Sequence, residues 1–155
     1  MIQLEKEIET GLRTAIRASL NTYGNVTRAL IDTTIVCFWL GDEEGGPADD
    51  ASGLRVMIQA KPNSSAGYMP GIGLEPIRSV TVDVMCISQP DSDEDRTIMR
   101  GLYEAVRVVF ETVPVPFSFA AGITFGGLLI RDGGAAEIDE VGQVTSFTVE
   151  MKVSL

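Results

Sequence analysis

The last thirteen residues of the chain, QVTSFTVEMKVSL, alternate between two sets of side chains. Successive side chains of a β-strand point to opposite faces, so a period of two predicts a strand with one face buried and the other in water. The set predicted to be buried is Thr145, Phe147, Val149, Met151, Val153 and Leu155. The remaining segments must therefore supply a sheet for this strand and a cover for its apolar face.

Two more segments alternate in the same way, and a third is apolar throughout. Residues 54–61 (LRVMIQAK) and 77–88 (IRSVTVDVMCIS) each place four apolar residues on one face. These residues are Leu54, Val56, Ile58 and Ala60 in the first, and Val80, Val82, Val84 and Cys86 in the second. Residues 31–41 (IDTTIVCFWLG) are β-branched and aromatic on both faces, which is typical of a central strand covered on each side. Trp39 in that segment is predicted to be a core residue rather than a platform for a ligand.

Two segments have the periodicity of amphipathic helices. Residues 3–20 repeat apolar side chains at spacings of three and four, with the charged residues mostly elsewhere around the helix. The apolar set is Leu4, Ile8, Leu12, Ala15, Ile16 and Leu20. The second helix is predicted to end before Pro114, because proline cannot continue a helix. Its apolar stripe comprises Ile98, Leu102, Val106 and either Val109 or Phe110.

The segments between these elements predict hairpin-like connections. Residues 42–53 (DEEGGPADDASG) are acidic and rich in turn formers, and a further hairpin is predicted around Asp132–Gly134. Long apolar loops are predicted at 62–76 and 112–127, because prolines and glycines there oppose regular structure. The order of elements favours an α+β fold. We therefore expect a single domain, residues 1–155, with a mainly antiparallel sheet and two helices on one face.

The two apolar loops are the candidate functional segments. Loops exposed to solvent are normally polar, and apolar side chains in them are typical of contact surfaces between proteins. The alternative is that each loop folds back over the core of its own chain, and the sequence does not decide between the two. As protein–protein interface residues we predict Tyr68, Met69, Pro70, Ile72, Leu74, Phe117 and Phe119.

The acidic stretch ISQPDSDEDR, residues 87–96, resembles the start of a calcium-binding loop. A calcium loop requires glycine at its sixth position and glutamate at its twelfth, where this chain has Arg96 and Leu102. The same residues serve better as a helix start, with Ser92 as the N-cap and Asp93, Glu94 and Asp95 in the first turn near the positive end of the helix dipole.

Composition excludes several kinds of chemistry. The chain has no histidine, which removes His-based nucleophilic systems and His-based zinc sites. Cys37 and Cys86 lie in strand-like runs without metal-type spacing and are expected to be free, buried thiols; a disulfide would require neighbouring strands. The carboxylates cluster in turns, where solvated surface is the usual explanation. We therefore predict no catalytic, metal-binding or cofactor-binding residues.

A net charge of −10 disfavours tight binding of nucleic acid, because phosphates would be repelled. It is compatible with DNA that passes nearby without being held. The first residues lack the basic flank and apolar core of a signal peptide, and no run reaches about 18 apolar residues. A soluble product of the cytoplasm, without membrane contact, is the expectation.

The order of elements resembles the tail terminator, or tail-completion, family of tailed bacteriophages. The resemblance covers most of the chain: an N-terminal helix, the strands TTIVCFWL, LRVMIQAK and PIRSVTVDVMCIS, the break QPDSDED, the helix TIMRGLYEAVRVVFE and the final strand SFTVEMKVSL. It rests on this order and includes no signature residue, and both apolar loops are longer than a minimal terminator needs.

The resemblance implies a structural virion protein that is not an enzyme. Members form a ring, typically of six copies, that caps the head-proximal end of the tail tube and stops its growth. Their partners are other copies of themselves, the tube protein and neck or connector proteins, with DNA only as passing cargo. Such a protein is assembled in the host cytoplasm and resides in the virion.

Two other hypotheses remain open from the sequence. The chain could be another neck, head-closure or connector subunit of the same particle. It could also be a small carboxylate-dependent enzyme or a host-directed binding module, which predicts a monomer with acids from distant segments around a closed pocket.

Overall fold

The computed structural model describes residues 3–24, 30–45, 54–61, 64–68, 76–87, 95–120, 122–132, 137–139 and 142–154. They form two helices and eight strands in an α+β arrangement, which confirms the predicted fold class. The elements in chain order are α1 (Leu4–Tyr23), β1 (Thr34–Cys37), β2 (Asp42–Gly45), β3 (Arg55–Ala60), β4 (Ser64–Tyr68), β5 (Pro76–Ile87), α2 (Asp95–Glu111), β6 (Thr124–Asp132), β7 (Glu137–Asp139) and β8 (Gly142–Ser154).

The strands form one sheet in the order β2-β1-β3-β5-β8-β6. All pairings are antiparallel except that of β1 with β3, which is parallel. The longest ladder joins β5 to β8, from Ile77 opposite Ser154 to Ile87 opposite Val144. β4 continues the line of β3 along β5, and β7 continues the line of β6 along β8. The sheet therefore carries a hairpin extension at each end of its central pair.

The core lies between one face of the sheet and the two helices, as predicted. Every apolar residue predicted to face the core on α1 is buried, and so are those of the strands at 54–61 and 77–88. On α2 both Val109 and Phe110 are buried, together with Met99 and Ala105, while Ile98 packs partly buried against them. From β8 the core receives Phe147, Val149, Met151 and Val153. The period-two and period-3.6 patterns thus identified most of the core.

The strand predicted at 31–41 is an inner strand of the sheet, between β2 and β3, but it is shorter than expected. β1 comprises only Thr34–Cys37 and lies next to the edge strand β2. After Cys37 the chain turns through Phe38–Gly41, with the Gly41 amide donating to the Cys37 carbonyl at 3.1 Å. Gly41 has φ of +61°, a backbone conformation that favours glycine. This turn, rather than a longer strand, is what makes the following acidic residues an antiparallel neighbour of β1.

Two connections also differ from prediction. The segment 62–76 contains β4, and its last residue, Pro76, begins β5. The segment 112–127 ends in β6, which begins at Thr124. In both cases cross-strand pairing outweighed the local preference of glycine and proline for turns. Gly133 and Gly134 of the hairpin expected around Asp132–Gly134 lie outside the described residues, and β6 and β7 on either side of them both pair with β8.

The predicted N-cap Ser92 and the first-turn residues Asp93 and Glu94 lie outside the described residues. Cys37 and Cys86 are buried free thiols, as predicted, and β3 separates the strands that carry them. Burial raises the pKa of the Cys86 thiol to about 12. This thiol therefore stays protonated near neutral pH and is a poor nucleophile.

Candidate interaction surfaces

The structure places two of the predicted interface residues against the core of their own chain. Phe117 is 6% exposed, and its ring lies 6.0 Å from that of Phe110 and 5.4 Å from that of Phe125. Phe119 is half-buried with its ring centre 5.5 Å from that of Phe117. These contacts correspond to the alternative in which the loop folds back over the core. An interface role for the two residues stays a prediction.

A glycine on α1 allows this loop to approach so closely. A Cβ atom at Gly11 would lie 2.5 Å from the Ser118 carbonyl oxygen and 2.8 Å from the Phe119 ring. Both distances are below any normal contact, so a larger residue at position 11 would displace the segment 117–119 from the helix.

The other predicted interface residues are in the segment at 68–74. Tyr68 is the last residue of β4 and pairs through its backbone with Pro76, while its side chain is outside the described set. Met69, Pro70, Ile72 and Leu74 lie outside the described residues.

The structure instead exposes two aromatic residues that the sequence predicted to be buried. Phe38 is 58% exposed and Trp39 is 39% exposed in the turn between β1 and β2. Their rings meet edge to face with centres 5.4 Å apart. We call residues 38–41 the aromatic turn. The prediction that Trp39 is a core residue was wrong, because the strand ends two residues before it.

A buried carboxylate fixes the aromatic turn to α1. Glu9 is fully buried, and its Oε1 accepts hydrogen bonds from the backbone amides of Trp39 at 2.8 Å and Leu40 at 3.3 Å. Its Oε2 accepts from the amide of Ala60 at 3.0 Å. The indole N–H of Trp39 donates to the Ala60 carbonyl, and the Phe38 amide donates to the Ile58 carbonyl at 3.0 Å. One side chain of α1 thus joins the turn and the end of β3.

The protonation of Glu9 reflects two opposing effects. Burial raises the pKa of Glu9 above its ordinary 4.5, since desolvation penalises the charged form, and the nearby Glu5 acts in the same direction. The three backbone N–H groups favour the carboxylate and lower the pKa, but by less. Glu9 is therefore kept in the core at an electrostatic cost, while it satisfies three backbone donors that would otherwise need other partners.

The sequence contains a signal that Glu9 is buried, and the prediction missed it. At 100° per residue, position 9 falls between Ile16 and Leu20 on the helical wheel, inside the apolar arc. A carboxylate at such a position requires hydrogen-bond donors from another element. The sequence did not reveal that those donors would be backbone amides of a turn some thirty residues away.

The face of the sheet away from the helices carries a network of polar side chains. Lys152 Nζ donates to Glu150 Oε1 at 2.8 Å and to Ser79 Oγ at 3.2 Å, and Ser79 Oγ also donates to Glu150 Oε1 at 3.2 Å. Arg131 lies 3.2 Å from Glu150 Oε2. Beside this group, Thr148 donates to Asp83 at 2.9 Å, and Lys61 lies 3.2 Å from Asp83. Most of these charges therefore have a partner of opposite sign.

This network does not have the arrangement of a serine–lysine catalytic pair. Activation of the Ser79 hydroxyl would need a neutral amine to accept its proton. Here the Lys152 ammonium donates to both neighbours, and its hydrogen bond and charge lower the pKa of Glu150. The geometry instead suits cross-strand pairing that stabilises β5, β6 and β8.

The two edges of the sheet differ in length and chemistry. β2 has four residues, three of them acidic, whereas β6 has nine residues, TFGGLLIRD, with charges only at its end. Leu129 of β6 is 55% exposed, and Phe125, Leu128 and Ile130 are only partly buried. Among the described residues no strand pairs with the outer edge of β6. Within the described part of the chain, this edge is both apolar and open.

Two shallow grooves, of about 270 and 340 Å³, lie beside α1 and share Ala15 and Pro116. The first lies between α1 and the segment 116–120, and the second lies between α1 and the end of α2. The hydroxyls of Thr10 and Thr14 donate to carbonyls of their own helix, so they are not directed at a ligand.

The described residues lack two specific features. They contain no group of three or more His, Cys, Asp or Glu side chains placed to hold a metal ion. No helix among them is both long enough and apolar enough to cross a membrane. Comparison of the chain with models of known families and with curated proteins finds no match.

Proposed function

We propose that this chain is a structural virion protein that assembles into a ring at the head-proximal end of a phage tail, where it terminates the tube and joins it to the neck. The order of elements that resembles tail terminators supports this proposal. The observation that carries it is the open apolar edge formed by β6.

Natural proteins rarely leave such an edge uncovered. A long apolar edge strand offers unpaired backbone groups to any other strand, and short length or charged residues usually protect it. β2 has both protections, whereas β6 has neither along most of its length. The exposed Leu129 and the partly buried Phe125 and Ile130 would gain burial from a neighbour. We therefore take β6 as the contact with the next subunit.

A contact between two different surfaces of identical subunits closes into a ring or continues as a filament. Since the two edges of this sheet are unlike, a contact between β6 and another surface of the next copy is of this kind. Six copies, as in the family that the chain resembles, would form the ring. Its acidic character would let DNA pass without being held. The tube protein and neck proteins would be its neighbours in the particle.

Native mass spectrometry of the full chain tests ring formation. The wild-type protein is expected as one discrete oligomer, with six copies as the specific expectation. Leu129→Lys should yield monomers, because a lysine at an edge strand opposes pairing with another chain. Val113→Lys is the matched control, since Val113 is 93% exposed and lies outside β6, and it should leave the oligomer intact. A wild-type monomer at high concentration, or equal loss in both variants, contradicts the proposal.

Deletion of the protein from its phage separates the two structural roles. Loss of a terminator should give tails of uncontrolled length. Tails of normal length that fail to join heads would favour the alternative, a neck or head-closure subunit. A reconstruction of the particle that locates the chain relative to the tube would decide between them independently.

A further inference from the structure

The rings of the aromatic turn are exposed, yet hydrogen bonds to a buried carboxyl group, that of Glu9, hold the turn in place. Exposed loop tips are normally mobile, and nothing in the packing of a core requires Phe38 and Trp39 to be fixed where they meet solvent. Here the amides of residues 38–41 all have acceptors: the Ile58 carbonyl, Glu9 Oε1 twice, and the Cys37 carbonyl. The indole N–H also has one, the Ala60 carbonyl. These hydrogen bonds therefore favour the one conformation of the turn that the structure shows.

This arrangement has the properties of a binding anchor. Aromatic residues dominate the energetics of protein interfaces, and an anchor that is already rigid avoids the entropy cost of ordering on binding. The retention of Glu9 in the core, despite the cost of its burial, is explained if the conformation of the turn is itself required.

Charge beside the turn indicates the chemistry of the partner. Gly41 leads directly into β2, whose sequence contains three acidic residues, Asp42, Glu43 and Glu44. Lys61, which directly follows β3, is paired with Asp83. A complementary surface would therefore combine an apolar pocket for the rings with a rim of lysine or arginine.

We propose that the aromatic turn, with β2, is a docking site for a different protein, one that offers an apolar pocket bordered by basic side chains. The site goes beyond the ring contact of the proposed function, because it lies at the opposite edge of the sheet from β6. It can fail or hold independently of ring formation.

The test uses a displayed library of random peptides selected on the immobilised full chain, with counter-selection on Phe38→Ala. Enriched peptides are synthesised and titrated into the full chain. Trp39 is the only tryptophan, so its fluorescence reports directly on the site. We expect enriched peptides to combine a large apolar residue with Lys or Arg, and binding to weaken as salt shortens the Debye length from about 10 Å at 0.1 M to about 3 Å at 1 M.

Three variants sharpen the result. Phe38→Ala should weaken peptide binding by about tenfold or more, Glu9→Gln should weaken it while both rings are kept, and Val113→Ala should leave it unchanged.

Peptides without basic residues, affinity independent of salt, or equal losses in Phe38→Ala and Val113→Ala would overturn the proposal. Loss of the wild-type oligomer in Phe38→Ala would overturn it as well, since the occupant would then be a second copy of the chain. Phe38→Ala with intact oligomer and lost peptide binding supports it and leaves the β6 contact untouched.

Discussion

The aromatic turn at 38–41 and the segment at 112–123 are both irregular, and each carries two aromatic residues, yet they hold them in opposite ways. In the segment, Phe117 is buried against Phe110 and Phe125, so ring packing attaches the chain to the core. In the turn, backbone amides bonded to Glu9 and to β-strand carbonyls hold the chain, together with the indole N–H of Trp39, and the Phe38 ring is left facing water. We therefore expect the fold to depend on the ring of Phe117 and not on that of Phe38.

The difference indicates how a free surface can be recognised. A segment that depends on its side chains for attachment cannot offer those side chains to a partner. A segment that is attached through its backbone can offer its side chains to a partner. By this criterion the turn is better suited to recognition than the segment 117–119, although the latter has the more loop-like sequence.

Truncation of the buried ring should have the largest effect. Phe117→Ala removes a buried aromatic side chain and leaves a cavity among Phe110, Phe119 and Phe125, so the free energy of unfolding should fall by about 3–5 kcal/mol. Urea unfolding followed by circular dichroism measures this loss. A loss below about 1 kcal/mol would mean that the segment does not depend on ring packing. It would contradict the difference inferred between this segment and the aromatic turn.

Removal of the carboxylate should have an intermediate effect. Glu9→Ala takes away the acceptor of three backbone amides, those of Trp39, Leu40 and Ala60, and should lower the free energy of unfolding by about 1–3 kcal/mol. Relief of the burial of a charge limits the loss. Hydrogen exchange provides the specific readout: the three amides should lose protection, while amides in the β5–β8 ladder keep theirs. Unchanged protection at residues 39 and 40 would show that Glu9 does not hold the turn.

The sequence predicted the elements with strong periodicity and much less of the candidate site. The stripes of α1, β3, β5 and β8 were identified because each pattern records which face is buried. The short strands β2, β4 and β7 were missed, since their residues favour turns and only pairing with longer strands makes them extended. Trp39 was misplaced because the end of β1 is set by hydrogen bonds to Glu9 and Ala60, which are distant in the chain. Local composition contains no record of such contacts.

Glu9 and Glu150 should contribute to the pH dependence of the free energy of unfolding with opposite signs. The raised pKa of Glu9 means that its contribution to folding is complete below pH 4.5 and is lost as pH rises through the folded-state pKa. The lowered pKa of Glu150 means that its contribution is present above pH 4.5 and is lost as pH falls. Relative to wild type, Glu9→Gln should gain stability with rising pH, and Glu150→Gln should gain with falling pH. Urea midpoints across pH would measure both slopes, and slopes of the same sign contradict the assignment.

The smallest effect on the free energy of unfolding is expected at the exposed ring of Phe38. This variant tests most directly whether the aromatic turn differs from the segment at 112–123. Phe38→Ala removes a side chain that is 58% exposed from a turn whose backbone bonds do not involve that ring, so the free energy of unfolding should change by no more than about 0.5 kcal/mol. Val113→Ala, at another exposed apolar residue, provides the matched control. If Phe38→Ala were as costly as Phe117→Ala, the ring would be part of the core's support and unavailable to a partner. A neutral result keeps the ring free for recognition, because a side chain that the fold does not need can be retained for contact with another molecule.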